Sequence, residues 1–146
     1  MIKISHRGNL AGPNKEYENS PYYIMQALQG GYDVEIDVWA YENELFLGHD
    51  IAEYKINIDF LKNKNFWCHC KNIDALSILL YNDIRCFYHH TDDATLTSDG
   101  YIWTYPGKHL TKKSICVMPE RDSWKMPKNI AGVCSDYIGV LEEHVR

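Results

Sequence analysis

Long apolar runs are missing from this chain. No stretch approaches the roughly eighteen consecutive apolar residues that a membrane-crossing helix requires, so no membrane span is expected. Basic charge is also short: 15 Lys and Arg face 20 Asp and Glu, a net charge of −5 with a pI near 5.7. A nucleic-acid-binding surface needs a basic stripe, and none is expected here. A small phosphorylated substrate stays open, because a local basic site can sit inside an acidic protein. The opening Met1-Ile2-Lys3-Ile4-Ser5-His6-Arg7 enters a strand-like alternation without the apolar core of a secretory signal, which points to a cytoplasmic location. The five cysteines (Cys68, Cys70, Cys86, Cys116, Cys134) are odd in number and contain no Cys-x-x-Cys pair. Each falls in an apolar, strand-like segment, where a reduced thiol behaves as a small buried hydrophobe. Repeats, low-complexity tracts and linkers are absent, so residues 1–146 are read as one domain.

What is present is an ordinary globular composition, 45% hydrophobic and 24% charged. Ile2–His6 alternates as a strand and ends at Arg7-Gly8. A loop with Gly12, Pro13 and Asn14 follows, and Asn19 or Ser20 caps a helix that starts at Pro21 and stops at Gly30-Gly31. A second strand covers Asp33–Ala40 and turns at Glu42-Asn43-Glu44 into Leu45–Leu47. Residues 57–63 form a short helix, and Phe66–Lys71 is a third strand. Asn72 caps a helix over Ile73–Tyr81 with Leu76, Leu79 and Leu80 inward. Short β-like runs follow at 84–88, 101–105, 114–118 and 132–137. Strands alternating with helices predict a parallel α/β sheet. Its later joins are too short for crossover helices, which need about a dozen residues. The expected fold is therefore a reduced TIM-like (β/α) barrel with several crossover helices shortened or missing. Uncovered apolar strand faces in such a barrel predict a homo-oligomer.

Parity then brings polar residues together. Glu35 and Asp37 share one face of the second strand, roughly 6–7 Å apart at ~3.3 Å rise per residue. Two carboxylates that close repel unless a cation or proton lies between them. An exposed strand face whose carboxylates meet water has the same pattern. Trp67, His69 and Lys71 share one face of the third strand, and Phe66, Cys68 and Cys70 the other, which turns the thiols away and argues against a zinc knuckle. His6, Arg7, Asp37 and Lys71 all lie at strand C-terminal ends, where parallel barrels gather their sites. Glu35, Asp37 and a neutral His69 supply three ligands for one divalent ion, with positions left for water or phosphate oxygen. Arg7 and Lys71 suit phosphate, and Lys71 inside a barrel needs an anionic partner, either Glu35/Asp37 or a substrate phosphate. His6 and His49 titrate near neutrality and can divide general-base and general-acid roles. Tyr88, Trp103 and Tyr105 either line the mouth or pack. His89, His90 and His109 are read as surface, and Glu142-Glu143 as a solvated tail.

His6-Arg7-Gly8, Glu18-Asn19-Ser20, Glu35-Ile36-Asp37-Val38 and Gly48-His49-Asp50, in that order, resemble the signature of glycerophosphodiester phosphodiesterases, phospholipase-C-like enzymes with a TIM-barrel fold. Cys68-His69-Cys70-Lys71 is similar to the family's Glu-x-Lys strand with His in place of Glu. Gly132-Val133-Cys134-Ser135-Asp136-Tyr137 is similar to its closing strand, which usually reads Gly-hydrophobic-x-Thr-Asp-x-Pro. The resemblance implies that His6 and His49 are the acid/base pair, that Glu35 and Asp37 hold a metal, and that Arg7 and Lys71 contact phosphate. Glu18 and Asn19 would order the first loop and reach toward the metal shell. It also implies attack by a substrate hydroxyl, giving a cyclic phosphate that water then opens. The expected activity is metal-dependent hydrolysis of small phosphodiesters with Mg2+, Ca2+ or Mn2+. The alternatives are a non-catalytic module holding a phosphorylated ligand and a lyase that releases the cyclic phosphate. His69 removes one negative charge relative to that pattern and favours ions that accept imidazole. The chain is also about a hundred residues shorter than a typical ~250-residue barrel.

Overall fold

The computed structural model describes residues 1–141, so the Glu142-Glu143 pair lies outside the described residues. Among the described residues there are ten strands: β1 (Ile2–His6), β2 (Asp33–Tyr41), β3 (Glu44–Leu47), β4 (Tyr54–Ile56), β5 (Phe66–Cys70), β6 (Cys86–Tyr88), β7 (Ala94–Leu96), β8 (Ile102–Thr104), β9 (Ser114–Val117) and β10 (Gly132–Ser135). Two α-helices accompany them, α1 (Pro21–Gln29) and α2 (Ile73–Tyr81), with 3-10 turns at Ile58–Lys62 and Pro119–Arg121. Neither helix is long and apolar enough to cross a membrane, nor is any other among the described residues.

Local chemistry sets both helices. Ser20 accepts from the Tyr23 N–H at 3.3 Å with Pro21 at the first helical position, and Gly31 takes φ +91° just beyond the end. Asn72 caps α2 through the Ala75 N–H at 3.1 Å. The same amide exchanges bonds with the Ala40 N–H (3.2 Å) and carbonyl (2.8 Å), sewing the helix start to the end of β2. α1 buries Ile24 and Ala27, and α2 buries Ala75 and Leu79. Leu80 departs from the expected inward set and is 49% exposed, because one helical step of about 100° carries it off the stripe that Leu79 occupies.

The sheet runs parallel in the order β6-β5-β2-β1-β10-β9-β8. β7 joins β8 antiparallel, and the β3–β4 ribbon hangs antiparallel from the far end of β2. Among the described residues the result is a mixed α/β fold with a curled sheet and two α-helices. β7 and the chain after it lie against β6, where Thr95 Oγ1 donates to the Tyr88 carbonyl at 2.8 Å and the Ser98 N–H donates to the Cys86 carbonyl at 2.8 Å. Where the sequence left too few residues for crossover helices, β7, the loop before β9 and the Pro119–Arg121 turn stand instead.

Side-chain alternation divides the interior. Val34, Ile36, Val38, Cys68, Cys70 and Cys86 face the helices. Ile4, Trp67, Phe87, Trp103, Ile115 and Cys134 pack together inside the curl. A third group, built on Cys116, Val133, Ile138 and Leu141, packs on the other flank, where loops take the place of helices. All five cysteines are buried and unpaired, as the sequence led us to expect.

Candidate active site and metal centre

The polar residues lie above the aromatic floor, at the carboxyl ends of β1, β2 and β5. Register fixes the pairs: His6 stands beside Glu35, and Asp37 beside His69. Two glycines make the approach possible. Gly8 takes φ +97°, and a Cβ there would meet Tyr23 Cδ2 at 2.4 Å. Gly48 takes φ +148°, and a Cβ would meet the Ile51 carbonyl at 2.0 Å.

His6 is buried between two acids. Its Nδ1 lies 2.6 Å from Asp136 Oδ1 and its Nε2 lies 3.3 Å from Glu35 Oε2. Burial alone would lower the basicity of the ring, but Glu35 and the Asp136 hydrogen bond outweigh it and raise the His6 pKa above its ordinary value. Asp136 is pulled up by burial and held down by His6, with a net lowering. It also accepts from Asn9 Nδ2 at 2.8 Å, and Asn9 Oδ1 takes the Tyr23 hydroxyl at 3.0 Å.

Asp37 is enclosed. Its Oδ2 accepts from Asn19 Nδ2 at 2.9 Å and lies 3.0 Å from Arg7 Nε, while Asn19 Oδ1 takes the Asp37 N–H at 2.9 Å. Its Oδ1 faces His69 Nδ1 at 3.2 Å. Burial works to raise Asp37, yet His69, Arg7 and Asn19 hold it well below the usual carboxylate range. Glu35 shifts the other way: burial and the Asp37 charge push it up to about 7. Two acids on one strand face are thus driven apart in acidity by their surroundings.

Glu35, Asp37 and His69 each offer a ligand atom, all within 4.8 Å of one another. The donor set fits a divalent cation on a specific ground: Glu35 Oε1 and Asp37 Oδ1 are buried and accept no hydrogen bond. An orphaned buried carboxylate oxygen is costly unless a cation or proton meets it. An ion bound here would take a lone pair from the His69 ring, whose Nδ1 faces Asp37 Oδ1.

Other expected residues gather at the rim. Arg7, Glu18, Asn19 and His49 line a cavity of about 480 Å³ with Lys15, Asp50, Ile51 and Glu53. His49 Nδ1 lies 2.8 Å from Asp50, its side chain is 42% exposed, and burial with the nearby Arg7 charge lowers its pKa. The Trp39 indole N–H donates to the Gly48 carbonyl at 2.7 Å and pins that loop. Arg7, at φ +59°, is committed to Asp37 and to Glu18 (3.2 Å). Glu18 thus ties the first loop to the end of β1 by accepting from Arg7. Lys71 pairs with neither Glu35 nor Asp37, because Arg7 and His69 already occupy Asp37. Among the described residues it makes no ion pair, while its charge bears on both His49 and His89.

Three sequence readings change. His89 is half-buried rather than a plain surface residue, stacked on Tyr105 with ring centroids 3.8 Å apart and 6.2 Å from His69. Trp103 packs in the floor and Tyr88 is exposed, which leaves Tyr105 as the aromatic at the mouth. Asp136 was missed as a site residue. Its signal was a carboxylate directly after the last strand, where Arg7 and Lys71 follow theirs. Asn9 carried no such signal, since its role consists of loop hydrogen bonds.

No family model, curated protein or solved structure matches this chain.

Proposed function

We propose that the protein is a metal-dependent phosphodiesterase acting on small phosphodiesters, on a reduced TIM-like barrel whose ring closes where the chain after β7 meets β6. The single observation behind the reading is His6, clamped by Asp136 on one side and 3.3 Å from Glu35 on the other, beside the orphaned Glu35 and Asp37 oxygens. In this reading Glu35, Asp37 and His69 hold one divalent ion, which supplies positive charge for the phosphate oxygens. Asp136 holds the proton on His6 Nδ1, so Nε2, which lies 3.3 Å from Glu35 Oε2, is the nitrogen left to take one from the attacking oxygen. His49, which lines the rim cavity with Arg7, is the group that returns a proton to the leaving alcohol in this reading. Lys71, which makes no ion pair among the described residues, takes the non-bridging phosphate charge, with Arg7 steadied behind Asp37.

Turnover of bis(nitrophenyl) phosphate with Mg2+, Ca2+ or Mn2+ tests the proposal, and phosphorus NMR of the product separates hydrolysis from release of a cyclic phosphate. Loss of either histidine to alanine should lower kcat by about 10²–10⁴-fold while inorganic phosphate still binds. A wild-type protein that turns over neither this substrate nor glycerophosphodiesters with any of the three ions would sink the enzyme reading. Retained phosphate binding would then leave a binding module, a reading that the exposed and Asp50-bound His49 favours.

A further inference from the structure

Glu120 sits in the 3-10 turn after β9, away from the cation ligands, and its carboxylate spans two donors at the end of β10. Its Oε2 accepts from the Ser135 hydroxyl at 2.8 Å and its Oε1 accepts from the Asp136 N–H at 3.1 Å. Ser135 Oγ in turn accepts from the Tyr137 N–H at 2.9 Å. One side chain therefore braces the backbone on both sides of the acid that grips His6. The turn is itself locked to the strand: Met118 adopts φ +46°, ψ +61°, and its N–H donates to the Cys134 carbonyl at 2.7 Å. A left-handed conformation at a residue with a long side chain is uncommon and persists where neighbouring structure enforces it.

We infer that Glu120 is a positioning residue, which sets where Asp136 stands and so how the His6 ring faces Glu35, Asp37 and His69. The inference rests on the phosphodiesterase reading for its effect on turnover, though not for its effect on the ring. Chemistry favours a carboxylate at this place. Both partners donate to it here, and a carboxylate accepts from both with full charge, whereas an amide keeps both only if the Ser135 hydroxyl turns to accept, and then without the charge. The remaining anchors of Asp136 act elsewhere: Asn9 bonds the same Oδ1 that His6 uses, and the Gly12 N–H bonds the Asp136 carbonyl. Among the described residues Glu120 alone holds the N–H side.

The test is imidazole proton and nitrogen NMR of the full chain, with the His6 signals assigned by their loss in His6→Gln. Wild type should show a far-downfield His6 Nδ1 proton, as short charge-assisted hydrogen bonds give. In Glu120→Gln that proton should move upfield or vanish by exchange while the backbone amide spectrum of β1 and β2 stays native. In turnover, kcat should fall about 10- to 100-fold with KM within about twofold. An unmoved His6 proton in a natively folded Glu120→Gln overturns the inference, as does a KM change that accounts for the whole loss. Should Glu120→Gln fail to fold, Ser135→Ala decides: it removes one of the two bonds to Glu120, and an unshifted His6 signal rejects the role. If wild type proves inactive, the phosphodiesterase reading falls and the NMR arm still judges Glu120.

Discussion

Asn19 offers the sharpest test of how the site is held. Its side chain bonds both the N–H and the Oδ2 of Asp37 while its own backbone sits at φ +66°. In Asn19→Ala the buried Asp37 N–H loses its acceptor, at about 1–3 kcal/mol. Asp37 Oδ2 keeps Arg7 but loses a neutral donor, about 1 kcal/mol more. Alanine in the left-handed region adds about 1–2 kcal/mol. The sum, about 3–6 kcal/mol, is a large part of a typical total of about 5–15 kcal/mol. With a urea slope near 2 kcal/mol per molar, the midpoint should fall by about 1.5–3 M. Asn19→Gly removes the same hydrogen bonds without the backbone term, so it should recover about 1 kcal/mol over the alanine variant. Urea unfolding followed by far-UV circular dichroism reads both. An alanine variant that loses under about 1 kcal/mol, or a glycine variant no better than alanine, refutes the reasoning.

Stability of the metal-free protein should depend on pH in two opposed ways. Asp37 and Asp136 are lowered in the fold, so their contribution is complete above the ordinary carboxylate range and is lost as pH falls through their folded values. Glu35 and His6 are raised, so the folded chain keeps protons that the unfolded chain has released, and stability declines as pH climbs toward about 7 for Glu35 and through the folded value for His6. The urea midpoint in chelator should therefore peak on the mildly acidic side, and a midpoint still climbing at about pH 8 contradicts these shifts. Because Glu35 must lose its proton to bind a cation, Mn2+ binding at about pH 6 should release about one proton in calorimetry across buffers, and Glu35→Gln should abolish that release. Tyr22, Ile73, Leu80 and Tyr81 are exposed on the two helices. Light scattering should therefore give a mass above the 17.0 kDa monomer, and a monodisperse monomer at high concentration removes that expectation.

The parts of the molecule written in short-range pattern were legible in the sequence. Alternation in Asp33–Ala40 and Phe66–Lys71 gave the inward faces of Glu35, Asp37 and His69, because a slip of one residue would put Ile36 and Cys68 into the polar site. Both helices stop and start where their caps say they should. The three-residue strands β4 and β7 were not legible, since each exists only through its ladder to a partner strand. Partner choice was hidden for a related reason. That Arg7 would be taken by Asp37, or His6 by Asp136 far along the chain, depends on how the whole sheet curls, which leaves no local periodicity.

The buried thiols carry a practical consequence. They are spread around the sheet, two on β5 and one each on β6, β9 and β10, and burial pushes Cys116 up to about 11 and Cys68 higher still. The Cys86 thiol is instead held down by its Cys70 hydrogen bond, but burial still keeps a reagent from each thiol until its own strand parts from its neighbours. Labelling followed by mass spectrometry would time those openings one by one, so that the wild-type chain serves as its own strain gauge.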